Sequence, residues 1–184
     1  MARIVAVAEN LAEPHIHCTV YLALTRGERM DSAIQKCVEL GAVALRLFPS
    51  ARSIVKYDDK TLAKKRLRWG KIALEAAKQS GRGIVPPVAL CPDFSSAMTE
   101  AGKADLPLFF YENEARHTLR RALEECPNVQ TVSLVTGPEG GFTDEEVSVA
   151  ESAGLRPLTL GKRILRCETA PVAALAGVML YLDA

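Results

Sequence analysis

Strand-like apolar runs and stretches with helical spacing succeed one another along this chain, and that order restricts the fold more than any other feature. Strands are read at 18–25, 42–48, 87–90, 106–111, 129–135 and 157–160. Helices are read at 29–40, 60–80, 94–102, 116–125, 143–154 and 171–182. The first helix carries Met30, Ile34, Cys37 and Val38 on one face, and the second carries Leu62, Trp69, Ile72, Ala73 and Ala76. That is the three-to-four residue spacing of amphipathic helices. Gly81 and Gly83 close the second helix, as glycines at a C-cap do. Alternation of this kind predicts an α/β fold, a mainly parallel sheet with helices on both faces. At 184 residues, 48% of them hydrophobic, the chain can bury the core of one domain.

A formal net charge of +1 excludes a globally basic protein and says nothing about local patches. Cys18, Cys37, Cys91, Cys126 and Cys167 form an odd set without C-x-x-C spacing. They read as reduced thiols of a cytoplasmic protein, not as a disulfide framework or a zinc site. Glu9, Glu13 and Pro14 interrupt the apolar start before a signal-peptide core forms, so secretion is not expected. The apolar run 170–182 is too short to span a bilayer and fits a buried helix. Residues 1–20 are too few for a domain and read as a remnant or linker of something larger, with 21–184 as the folded domain.

Two segments carry the chemistry. In Gly137-Pro-Glu-Gly-Gly-Phe142, Thr143 and Glu146 make the T-x-x-E capping box, so the glycines form the turn between a strand and a helix. Gly140 and Gly141 allow close backbone approach to a ligand or a positive φ. The loop lacks a P-loop lysine and G-x-G-x-x-G spacing, and Glu139 would repel phosphate, so a neutral or cationic ligand suits it better. In Leu160-Gly-Lys-Arg-Ile-Leu-Arg-Cys-Glu-Thr-Ala170, Lys162, Arg163 and Arg166 crowd beside Glu168, and Pro171 sits in the first turn of the next helix. Ile164 and Leu165 are two large aliphatics in a basic loop and should be burying something, an adenine ring being one possibility. In α/β proteins ligands bind where loops leave the carboxyl ends of strands, so the two loops suggest one composite pocket.

With these segments, Glu75-Ala-Ala-Lys-Gln-Ser-Gly-Arg82 followed by Val85-Pro, Glu39-Leu-Gly41 and Phe109-Phe-Tyr-Glu112 complete a pattern. Over roughly residues 20–184 the chain closely resembles the ribosomal small-subunit (16S) RNA (uracil-N3)-methyltransferases of the SPOUT superfamily. The resemblance implies an α/β fold with a C-terminal trefoil knot, contrary to the usual absence of threading. It also implies S-adenosyl-L-methionine as methyl donor, 16S rRNA in the small ribosomal subunit as substrate, a homodimer with active sites at its interface, and an N-terminal PUA-like domain. This chain starts too late to contain that domain.

On that basis the cofactor candidates are Leu108, Gly137, Glu139, Gly140, Leu160, Ile164 and Leu165. The catalytic candidates are Arg82, Arg166 and Glu168. Arg82 would hold the target base or its anionic oxygen, the alternative being an arginine at a helix end bonded to helix carbonyls. Glu168 would accept a proton or position Arg166. Residues 56–71 hold seven basic residues against Asp58 and Asp59, and Lys64, Arg68 and Lys71, placed opposite the Trp69 stripe, are candidates for RNA phosphate contacts. His15, His17 and His117 share no ligand spacing. A competing reading is an idle RNA-binding or assembly factor on the same fold. An unrelated nucleotide-binding domain is disfavoured by the missing phosphate motifs. The helix at 171–182 is apolar around its whole circumference, which requires a second burial surface and points to a dimer.

Overall fold

A computed structural model describes residues 5, 10–55, 57–113 and 117–183. Six strands, β1 (His17–Ala23), β2 (Ala44–Phe48), β3 (Val88–Leu90), β4 (Leu106–Phe110), β5 (Thr131–Thr136) and β6 (Arg156–Leu158), form one sheet in the order β3-β2-β1-β5-β4-β6. Every pairing is parallel, with Val20 opposite Leu45 on one side and Leu134 on the other. The helices are α1 (Glu28–Glu39), α2 (Asp59–Gln79), α3 (Phe94–Ala101), α4 (Leu119–Glu125), α5 (Asp144–Ser152) and α6 (Ala170–Leu182). Each falls within a few residues of its expected place. Arg116, the expected start of the fourth helix, lies outside the described residues.

Period-two alternation along the strands sorts the core into two layers. Cys18, Val20, Leu22 and Leu24 point into one cluster with Met30 and Ile34 of α1, Trp69 of α2, Leu123 of α4 and Leu175 of α6. Tyr21 and Ala23 point the other way, to Met98 of α3 and Ala150 of α5. A chain of rings, Phe48 to Phe94 at 5.7 Å, Phe94 to Phe142 at 5.9 Å and Phe142 to Phe109 at 4.3 Å, braces that second layer under the ends of the strands. These are the offset and edge-on contacts favoured by ring quadrupoles.

Asp31 ties α1 to α2. Its Oδ1 accepts from Trp69 Nε1 at 3.1 Å, and its Oδ2 accepts from Arg68 Nη2 at 2.6 Å. The Asp58, Asp93 and Thr118 side chains cap α2, α3 and α4, and Thr143 and Glu146 complete the expected capping box on α5.

Residues ahead of β1 are fastened to the body. Asn10 donates to Gly81 O at 3.1 Å, and the backbone N–H groups of His15 and Ile16 donate to Asp183. β1 starts at His17, four residues before the expected boundary at 21.

Arg82 belongs to the same clamp. Its guanidinium, with only 2% of the side chain exposed, meets Glu13 at 2.7 Å and donates to the carbonyls of Val38 at 3.1 Å and Ala42 at 2.6 Å. These groups sit where α1 ends and β2 has yet to begin, at the amino-terminal edge of the sheet. Removing one partner of a buried pair leaves the other's desolvation uncompensated, so Arg82→Ala should lose about 3 kcal/mol in urea unfolding. The Arg82 hydrogen bond holds the Glu13 carboxyl below its ordinary value of 4.5, against the opposing effect of burial. A lowered carboxylate pKa contributes stability above the unfolded value that is lost as pH falls through the folded one. Unfolding measured downward from pH 5 should therefore show a steeper loss for the native chain than for Glu13→Gln; parallel curves would contradict this assignment.

Candidate active site

The carboxyl ends of β4, β5 and β6, at Phe110, Thr136 and Leu158, open into a cavity of about 840 Å³. That volume suits a cofactor-sized ligand, in the place an α/β sheet offers one. Three loops wall it: the start of the β4–α4 connection at Tyr111 and Glu112, the glycine loop from Gly137 to Gly141, and the long connection through Leu160, Ile164, Leu165 and Arg166 to Ala170. The two loops picked out in the sequence do meet in one pocket. Thr159 N donates to His117 O at 2.8 Å, drawing the first and third loops together.

The glycine loop is shaped from outside as much as from within. Gly141 has φ 67°, and a Cβ there would run into the Glu112 carboxylate. Only glycine meets both conditions without strain. A Cβ on Gly140 would lie 3.0 Å from Arg52 Cβ, and Arg52 Nη1 donates to Gly140 O at 3.2 Å. Between them Glu139 turns inward. Its Oε1 accepts from Arg29 Nη1 at 2.7 Å, while its Oε2 is buried with no hydrogen-bond partner. An unpaired buried carboxylate oxygen is costly and marks a place for an incoming donor or cation.

Across the cavity, Cys167 Sγ donates to Glu168 Oε2 at 3.2 Å. Burial, helped by that bond, pushes the Cys167 thiol up to about 12, so it stays protonated. Burial also raises Glu168, but its own backbone N–H, the Cys167 thiol and the Arg29 and Arg166 charges outweigh this and leave it below the ordinary value of 4.5. Glu168 is thus an ionised acceptor at neutral pH. Ile164 is 88% exposed on the rim, an apolar side chain with nothing of its own chain to cover it.

Of the sequence candidates, Gly137, Glu139, Leu160, Ile164, Leu165, Arg166 and Glu168 line this cavity. Leu108 does not: it is fully buried in β4, two residues below the strand end, between Leu134 and Arg156 of the neighbouring strands. Gly140 faces Arg52 instead of the cavity. Arg82 is at the opposite edge of the sheet, consumed by Glu13 and the end of α1. This is the helix-end alternative weighed for it. All three of that trio are exposed, but Arg68 is paired with Asp31, leaving Lys64 and Lys71 as its members without an ion pair among the described residues. Arg29 and Glu112 were not singled out for the site. Arg29 opens α1, and only the neighbouring of β1 and β5 in the sheet brings it to Glu139.

A family model described as an RNA methyltransferase domain matches residues 12–179. Ribosomal RNA small subunit methyltransferase E of Bacillus subtilis is 40% identical over 86% of this chain, and its namesake in Synechocystis is 35% identical over 99%. The chain spans 64% and 59% of the lengths of those two relatives. Among solved structures, the Neisseria gonorrhoeae methyltransferase E bound to S-adenosyl methionine superposes with a TM-score of 0.81 at 36% identity, covering 91% of this chain and 67% of that one. A Legionella pneumophila methyltransferase in complex with bound SAM gives a TM-score of 0.85 at 33% identity, with the same coverage of each chain. The chain belongs to the ribosomal RNA small subunit methyltransferase E family of RNA methyltransferases.

The glycine loop yields a direct test. Gly154 has φ 87° with open space around it, whereas Gly141 combines positive φ with the Glu112 contact. Gly154→Ala should cost about 1–2 kcal/mol, the ordinary penalty of the left-handed region, and Gly141→Ala should cost measurably more in denaturant unfolding. Equal losses would show that Glu112 moves aside freely.

Proposed function

We propose that this chain is the catalytic part of an S-adenosyl-L-methionine-dependent methyltransferase acting on N3 of a uridine in 16S ribosomal RNA. The observation that carries the reading is the cavity of about 840 Å³ at the carboxyl ends of β4, β5 and β6, walled by the two sequence-marked loops and lined by Glu139, whose buried Oε2 has no hydrogen-bond partner. The cofactor offers hydroxyl and amino donors and a net cationic sulfonium–ammonium pair, which suit a carboxylate lacking a partner. The relatives' printed names and the cofactor bound in two of the solved structures support the assignment. The uridine N3 position rests on the sequence resemblance alone.

S-adenosylmethionine supplies an electrophilic methyl group on its sulfonium. Glu139, with Gly137, Leu160, Ile164 and Leu165, would hold the cofactor. The imide N3 of the base must give up its proton as it attacks. Glu168, held ionised, would accept a hydrogen bond from N3–H, orient the ring and take the proton as the N3–methyl bond forms and the methyl–sulfonium bond breaks; its lowered pKa favours handing that proton on to solvent afterwards. Arg166 lines the same space and stabilises negative charge developing on the base oxygens. Lys64, on the first turns of α2, is nearer this end of the sheet than Lys71, since the 21-residue helix runs about 30 Å away from it. Phosphate contact is therefore assigned chiefly to Lys64. Ribosomal subunits as the substrate place the enzyme in the cytoplasm. Among the described residues no helix is long and apolar enough to cross a membrane.

The trefoil knot belongs to the same proposal. β6 lies at the sheet edge beside β4, yet α6 packs in the middle, against α1, α4, β1 and β5. Residues 159–169 must therefore cross the ends of β4 and β5, where Thr159 pairs with Thr118. The proposal also includes a homodimer built on α6. Pro171, Ala174, Leu175 and Val178 are buried within the chain, while Leu180, 79% exposed, and Tyr181 stay on the outside.

Calorimetric titration with S-adenosylmethionine should give one site per chain. Glu139→Ala should weaken it about tenfold or more, each tenfold being about 1.4 kcal/mol; unchanged affinity in a folded variant would take Glu139 out of the site. Mapping N3-methyluridine on small subunits incubated with the full-length protein tests the substrate. For the dimer, sedimentation at micromolar concentration should give twice the chain mass, and Leu180→Arg should shift it to the monomer. A native chain that sediments as a monomer with full cofactor affinity would overturn that part.

A further inference from the structure

Among the described residues of the loop that leaves β2, 49–55 and 57–58, none lines the cavity, yet the loop is fixed to the glycine loop that does. Ala51 N donates at 2.8 Å to Oε1 of Glu146, whose Oε2 accepts from Thr143 N at 3.1 Å, so one buried carboxylate holds both loops. Arg52 then reaches over the glycine loop to Gly140 O. Position 140 is a glycine because Arg52 occupies the space a Cβ would need. The next residue back is Glu139, which lines the cavity.

Arg52 is exposed, and the Gly140 carbonyl uses one of the five N–H donors of its guanidinium. It forms no salt bridge among the described residues, although its charge acts on the nearby Glu145 carboxylate and lowers that group's pKa. Other cations at this carboxyl edge of the sheet share this condition: among the described residues Arg26 on the loop after β1, Lys60, Lys64 and Arg66 on the first turns of α2, and Lys162, Arg163 and Arg166 on the third loop of the cavity form no ion pair. A concentration of unneutralised cations next to one loop of the site is a surface for a polyanion.

Resting on the reading of the chain as an S-adenosylmethionine-dependent RNA methyltransferase, we infer that Arg52 is a positioning residue that couples RNA docking to cofactor binding, bridging an RNA phosphate and the Gly140 carbonyl. A phosphate engaged by the outer donors of the guanidinium fixes the exposed Arg52 side chain, and through the Gly140 carbonyl it restrains the 140–141 peptide, adjacent in the loop to Glu139. Arg52 touches neither the cofactor nor the base. Linkage makes the effect reciprocal: RNA tightens cofactor binding by the factor by which cofactor tightens RNA binding.

The experiment is a thermodynamic cycle, with S-adenosylmethionine titrated calorimetrically into the chain alone and into the chain saturated with single-stranded oligouridine at low salt. The native chain should bind the cofactor about fivefold or more tighter with RNA present, the lower end of usual coupling. Arg52→Ala should bring that ratio to one, and Arg52→Lys, which keeps the charge but loses the planar fork, should leave it near one as well. A merely structural Arg52 would lower cofactor affinity equally with and without RNA and preserve the ratio, which would overturn the inference. A native ratio of one, with both ligands bound, would also overturn it while leaving the assigned function standing. No cofactor binding by the native chain would sink both.

Discussion

The site depends on the buried carboxylate of Glu146. It closes the capping box that starts α5 and accepts the backbone N–H of Ala51 from a loop 95 residues earlier in the chain. Hydrogen bonds to a charged group of this kind are worth about 1.5–3 kcal/mol, and leaving a buried charge without them costs more. Beneath it, Phe142 inserts among Phe94 and Phe109 and ties the glycine loop to the second layer of the sheet. The loop is thus rigid at its base and open at its crest, where Glu139 and Gly140 lie.

Strand and helix order was legible because the periodicities of two and of three to four residues report burial on a local scale. The cavity was legible for the same reason: both loops follow strands that end at the same edge, and a parallel sheet brings such ends together. What the pattern did not carry was distance across the sheet. Arg82 and Arg166 look alike as arginines in glycine-containing loops, yet one precedes a strand and the other follows one, so they stand at opposite edges. Strand direction was available in the sequence and would have separated them; Glu13, the partner that buries Arg82, was not recognisable at a separation of 69 residues. Arg68 failed as a free cation for a similar reason. Its partner Asp31 lies on another helix, and only the packing of α1 on α2 reveals it.

Glycine was read through its freedom to approach a ligand, and the structure divides that freedom between neighbours. Gly141 needs its positive φ and the room taken by Glu112. Gly140 is small for the sake of Arg52, a residue of the protein itself. A close approach to glycine looks the same in sequence whether the approaching group is cofactor or side chain. Leu108 shows the matching limit for strands: alternation finds the inward face but not how deep below the strand end a residue lies.

The division at the crest has a consequence for how a small domain handles two ligands. Successive residues of an extended or turning backbone direct their groups to opposite sides, so Glu139 serves the cavity while the Gly140 carbonyl serves the outer surface. The two binding regions are separated by the thickness of one polypeptide chain. Neighbourhood along the loop is what lets them influence each other, since the Gly140 carbonyl and the Glu139 side chain leave adjacent Cα atoms. The cost of such an arrangement is an unsatisfied carboxylate oxygen and a row of unneutralised cations on either side of the loop. Stability alone would have paired them, and the proposed function gives their persistence a reason: a cationic cofactor and an anionic polymer would be gathered at one strand end.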